Sequence, residues 1–198
     1  MSEKINLKEL ERKAWTSYFE DGLWDIFMGL LMLTGGIRAL TDNVLFTLGF
    51  VPAVLVVVVG KRFITTPRIG HVKFGRSRKV KQRRLIAIIS ISVIATFVLL
   101  LLPLSGLALP KISISPIIAV WIAVIFGLLA YYMDFRRLYL YGLLFAMSEV
   151  LWGQFDKPVG SITQTISGIA ILLIGLFVLV RFLRKYPLPA EMRSYGGD

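Results

Sequence analysis

Six long apolar runs, parted by short polar segments, constrain this chain more than any other feature. A transmembrane helix needs about 20 mainly apolar residues, with a range of about 17–25. Residues 22–41, 44–63, 85–104, 116–133 and 161–183 meet that, and residues 138–153 form a sixth, shorter and less apolar run. Apolar residues are 56% of the 198, against about 45–50% in a soluble domain, and the excess is concentrated in these runs. Lipid cannot satisfy backbone N–H and C=O groups, so runs of this length are read as helices. The expected fold is therefore all-α: a polytopic membrane helix bundle of about six transmembrane helices, organised as a single integral membrane domain over residues 1–198. A four-span alternative lays residues 138–153 and a neighbouring run in the plane of the membrane.

Charge sets the expected topology. All but three of the 23 Lys and Arg residues fall in the N-terminal segment, residues 61–84, residues 134–137 and the C-terminal tail. The exceptions are Arg38, Lys111 and Lys157. Positive charge marks the cytoplasmic side, so both termini are expected in the cytoplasm of a plasma-membrane protein with an even number of spans. Aromatic residues agree: Trp24, Tyr131, Tyr132, Tyr139 and Tyr141 lie near the expected inner boundary and Trp152 near the outer one, as an interfacial belt requires.

Residues 3–20 read as an N-terminal interfacial amphipathic helix. Leu7, Leu10, Ala14 and Tyr18 share one face, while Lys4, Lys8, Arg12 and Lys13 cover the rest. Trp15, Tyr18 and Phe19 are expected to dip into the interface, and the alternative is a solvated helix packed on the span ends. No cleavable signal peptide is visible, because this segment lacks an apolar core.

The connections carry the breakers. Thr41–Asn43 is short and makes spans one and two a hairpin, and Pro52 is expected to kink span two. Residues 64–84 form a basic cytoplasmic loop, with a short hairpin expected around Ile69, Val72 and Phe74. Residues 106–116 and 154–159 are outer connections, and 185–198 is a cytoplasmic tail. Gly35–Gly36, Ser92 with Thr96, Gly142 with Ala146, and Gly168 with Gly175 are expected to mark close helix contacts.

Charged groups within spans are costly and few. Arg38 lies sixteen residues after Gly22, about 24 Å along a helix, and Glu149 lies twelve residues after Arg137, about 18 Å. Both fall in the outer half of the membrane and form a candidate ion pair, or Glu149 is a cation or proton site. Asp21 and Asp25, at the start of span one, form a candidate inner-face polar cluster with Arg136 and Arg137; Arg181 is another possible partner. The alternative is that these acids favour the positive end of the helix. The polar start of span six, Ser161 to Ser167, either packs across helices or lines an outward vestibule. Arg68, Lys73, Arg76, Arg78, Lys79, Lys81, Arg83 and Arg84 are candidate contacts for anionic lipid headgroups on the cytoplasmic side. The competing reading makes them plain topology signals.

Other chemistry is excluded or unsupported. There is no Cys and only one His, His71, so neither a disulfide nor a His/Cys metal site is available. No phosphate-binding Gly loop, HExxH, nucleophile elbow or EF-hand occurs, and no cofactor is implied. The net charge of +11 reflects the cytoplasmic segments and their lipid, not nucleic acid, since no nucleic-acid-binding motif accompanies it.

Asp21-Gly22-Leu23-Trp24-Asp25 opens span one, and Pro67-Arg68-Ile69-Gly70-His71-Val72 follows span two. This pair of segments resembles a group of small, uncharacterised prokaryotic integral membrane proteins with a D-G-[LI]-W-[DE] opening and a P-R-x-G-x-V segment. The resemblance covers about the first 85 residues. It implies a bacterial or archaeal plasma membrane and carries over no activity and no site residue.

Three functional classes follow, in order. The first is a non-catalytic membrane component that binds another membrane protein, as an accessory subunit does. The second is a small transporter or channel, oligomeric, using Glu149 and the start of span six. The third is a headgroup-binding sensor or enzyme using the basic segment.

Overall fold

The computed structural model describes residues 19–69, 76–101 and 115–187. They form helices α1 Leu23–Thr41, α2 Val44–Ile69, α3 Arg76–Leu101, α4 Ser115–Met133, α5 Arg137–Gln154 and α6 Lys157–Lys185, with no strand among the described residues. The all-α helix-bundle expectation is met. Helices α1, α2, α4 and α6 are long and apolar enough to cross a membrane. Residues 3–18 of the expected interfacial helix, most of the outer loop at 106–116 and most of the tail fall outside the described residues, as do His71, Val72, Lys73 and Phe74.

Helix ends follow local chemistry. Gly22 precedes α1 at φ 85°, a left-handed conformation that glycine adopts without strain. Asp42 closes α1 at φ 51°, and the Leu45 N–H donates to the Asn43 side chain at 2.9 Å. Two polar residues thus turn the chain into α2. This helix begins as a 3-10 segment, Val44–Gly49, becomes α over Phe50–Gly60, widens to a π turn at Lys61–Thr65, and ends as α at Thr66–Ile69. Pro52 does not interrupt its middle. It lies in the first α turn, where the 3-10 hydrogen-bonding pattern ends and a missing N–H is tolerated.

The expected basic loop is helical at both ends. Residues 64–69 complete α2 and residues 76–84 begin α3, while residues 70–75 lie outside the described residues. Ile69 ends a helix and not a strand. α6 likewise starts at Lys157, four residues before the expected span, with Pro158 in its first turn.

The chain divides into two compact units. One holds α1, α2 and α6 from Thr165 onward; the other holds α3, α4, α5 and the start of α6. In the first unit α1 and α6 run antiparallel along a glycine seam. A Cβ at Gly29 would lie 2.6 Å from the Leu172 nitrogen, at Gly168 2.5 Å from the Leu33 nitrogen, and at Gly175 2.6 Å from the Ile26 nitrogen. Rising numbers on α1 meet falling numbers on α6. Gly22 and Gly29 are seven residues apart, as are Gly168 and Gly175, so each pair lines one stripe of its helix. Leu23, Met32, Ile171 and Phe182 are buried in this unit.

In the second unit, Asp134 at φ 54° turns α4 into α5. The Phe135 N–H donates to the Ala130 carbonyl at 3.0 Å. Gly142 receives Phe126, whose ring lies 5.6 Å from that of Phe145. Tyr141, placed in the aromatic belt by sequence, is instead core: it is buried and packs on Phe135. Both units expose many large apolar residues, including Val51, Val54, Leu55 and Val58 on α2. Water would penalise that surface, whereas lipid covers it at no cost.

Candidate functional site

The first unit buries a charged cluster where α1 begins and α2 makes its π turn. Asp21 precedes α1 and is fully buried. One carboxylate oxygen accepts from the Leu23 N–H at 3.1 Å. The other accepts from the Lys61 ammonium at 2.5 Å and from the Thr65 hydroxyl. Lys61 is nearly buried, with its ammonium 5.7 Å from the centroid of the Phe19 ring. Asp25, also fully buried, lies one turn further along α1 and acts electrostatically on the same ammonium.

The π turn builds this site. Lys61 and Thr65 are four residues apart, and a π turn has more than four residues per turn, so both side chains return to the same side and meet one carboxylate. The widened turn is closed by Thr66, whose N–H and hydroxyl both donate to the Lys61 carbonyl, the latter at 2.8 Å. Gly60, one residue earlier, lets α1 come close: a Cβ there would lie 2.8 Å from both Leu23 methyls. The hairpin of α1 and α2 is therefore closed by the Asp42–Asn43 turn at one end and clasped by an ion pair at the other. A charge-assisted bond in this setting is worth about 1.5–3 kcal/mol. Thr65→Val is expected to destabilise the protein by that amount in thermal unfolding, while Thr65→Ser, which keeps the hydroxyl, stays near wild type.

Asp21 and Asp25 both lie at this cluster, and Asp21 is held by Lys61 and Thr65 because the π turn at Lys61–Thr65 brings both side chains to its carboxylate. Arg136 and Arg137 belong to the second unit, where Arg136 is exposed and Arg137 packs 5.1 Å from the Phe135 ring centroid. Arg181 is exposed on α6, and Phe19, expected at the interface, is buried against Lys61. Lys61 and Thr65 went unnoticed because a Lys following an apolar run reads as the exit from the membrane. The available signal was the repeated spacing of four, in Asp21 with Asp25 and in Lys61 with Thr65.

The outer-half candidates belong to different units. Arg38 is exposed in the first unit, and Glu149 is half-buried in the second. The Ser115 hydroxyl donates to the Glu149 backbone carbonyl. The polar start of α6 turns back on its own helix: Ser161 donates to the Lys157 carbonyl at 2.8 Å and Thr163 to Val159 at 2.9 Å. Ser148 does the same to Leu144 at 2.8 Å. Among the basic candidates, Arg68 donates to the Ile64 carbonyl at 2.9 Å, and Lys81 pairs with Asp134 at 3.4 Å. Arg83 and Arg84 are exposed, and Arg76, Arg78 and Lys79 lie in the first turns of α3. No group of three or more His, Asp or Glu able to hold a metal occurs among the described residues.

Fold and site together define an all-α helix bundle with four described helices long and apolar enough to cross a membrane and a buried interhelical ion pair. Comparison with protein-family models, curated proteins and solved structures gave no match.

Proposed function

We propose that the chain is a multi-pass component of a prokaryotic plasma membrane, with both ends in the cytoplasm, that works by binding another membrane protein and not by catalysis. The observation carrying this reading is how the polar groups within the helices are spent. Asp21 takes a backbone N–H, a hydroxyl and an ammonium; Ser148, Ser161 and Thr163 bond to their own helices. Such groups fasten helices and leave an apolar outer face for lipid and a partner. The charge asymmetry supports the sidedness, and the likeness of the first 85 residues supports the prokaryotic setting.

Proteoliposomes containing the purified chain alone are expected to pass protons and alkali cations no faster than protein-free vesicles. Cross-linking in native membranes should give one discrete heteromeric adduct. Cation or proton flux that Asp21→Asn or Glu149→Gln abolishes would overturn the reading.

Transport is the second reading, favoured by one observation, the half-buried Glu149 within α5. A single Cys at that position, in a chain with no native Cys, separates the two. Under the first reading Glu149→Cys resists a small charged thiol reagent in intact membranes while Lys157→Cys reacts. Rapid labelling of both would move transport ahead.

A further inference from the structure

The basic segment changes meaning once it is seen as helix. Arg76, Arg78, Lys79, Lys81, Arg83 and Arg84 occupy the first turns of α3. The helix macrodipole places partial positive charge at that same end, so acids there stabilise a helix and bases oppose it. Arg76, Arg78 and Lys79 lie in the first turn, where bases oppose that dipole, and Lys81, Arg83 and Arg84 extend the run of like charge through the next turns, which an anion beside them would offset.

The second unit brings the start of α3 to the α4–α5 turn. The Lys81 ammonium lies 3.4 Å from both Asp134 carboxylate oxygens and 5.9 Å from the Tyr131 ring centroid. It therefore ties the start of α3 to the α4–α5 turn. Arg83 and Arg84 follow it on α3, and Arg136 follows Asp134 on the turn; all three are exposed. Between residues 75 and 164 the acids are Asp134, Glu149 and Asp156, and only Asp134 is at this end, already engaged by Lys81. Tyr131 and Tyr132, with ring centroids 5.2 Å apart, close α4 beside the patch, and tyrosines of that kind belong at headgroup depth.

We propose that this end of the second unit binds the phosphate of anionic phospholipid headgroups, with Arg83, Arg84 and Arg136 as ligands and Lys81 as the residue that positions α3 against the turn. Guanidinium groups suit this task because their paired N–H donors match two phosphate oxygens at once. The inference is independent of whether the chain is an accessory component or a transporter.

The test is native mass spectrometry of the full chain in detergent with phosphatidylglycerol or phosphatidylcholine added. Wild type is expected to retain phosphatidylglycerol preferentially. The triple variant Arg83→Gln/Arg84→Gln/Arg136→Gln should lose about fivefold per arginine, on the order of a hundredfold in all. The control Arg181→Gln/Arg184→Gln/Lys185→Gln removes as many charges from the end of α6 and should keep the preference. Equal loss in the control, or a site variant within about twofold of wild type, overturns the proposal. Displacement of the lipid by millimolar inorganic phosphate would make the ligand a free anion and overturn the headgroup assignment. If the triple variant does not fold, Arg83→Gln and Arg136→Gln singly carry the same test at about fivefold each.

Discussion

Asp21→Ala is expected to lower stability by about 3–5 kcal/mol, because it leaves the Lys61 ammonium buried without its carboxylate. Lys61→Met should cost a comparable amount by stranding the carboxylate. The double variant Asp21→Asn/Lys61→Met should recover most of the loss. The Asn oxygen still accepts from the Leu23 N–H, its amide N–H can donate to the Thr65 hydroxyl oxygen, Met fills the space of the Lys stem, and the Asp21–Lys61 pair no longer has to be desolvated. Thermal unfolding followed by tryptophan fluorescence reads all three, since Trp24 adjoins the site. Single variants within about 1 kcal/mol of wild type, or a double variant no better than the singles, would mean the clasp does not hold α1 to α2.

The glycine seam between α1 and α6 should be equally intolerant. Gly29→Leu and Gly168→Leu each place a side chain against backbone nitrogen of the facing helix, at 2.6 Å and 2.5 Å for the first atom alone. Backbone cannot rotate aside as a side chain does, so the helices must part along their length. Overpacking of this kind costs about 1–3 kcal/mol per site, and the two changes together are expected to abolish monodisperse protein after extraction. Gly127→Leu is the control. The nearest atom to a Cβ there is Tyr139 Cε1 at 4.0 Å, and its effect should stay within about 0.5 kcal/mol. A Gly29→Leu protein as stable as wild type would refute the seam.

How much of this was legible beforehand depended on range along the chain. The run of apolar residues from Gly22 to Thr41 placed α1 to within a residue of Leu23–Thr41, because length and apolarity are local properties. Gly142, Gly168 and Gly175 were also foreseeable as contacts, since small residues at helical spacing leave their mark in the sequence. Gly29 was missed, although it is seven residues from Gly22 and pairs with Leu172. The clasp was not legible. It joins residues forty positions apart through a π turn, and no residue type specifies a π turn. Shifting α2 by one residue would turn Lys61 away from Asp21, and no pattern of hydropathy records that choice. The start of α3 misled for a related reason: Arg76–Arg84 has the composition of a loop, and only the apolar run behind it carries the helix back through those charges.

The antiparallel pairing of α1 with α6 has a consequence for how the chain is made. The first span leaves the ribosome well ahead of the surface it must meet, since Leu172 follows Gly29 by about 140 residues, on the order of ten seconds of synthesis at typical elongation rates. Of its partners within the first unit α1 has only α2 through that interval, and Asp21, Lys61 and Thr65 all precede α3. The hairpin can thus close on itself early, hold its charges away from lipid, and keep the glycine stripe of α1 ready for α6. Biogenesis of the first unit is then a matter of waiting, with α1 parked in a finished hairpin until α6 completes the unit.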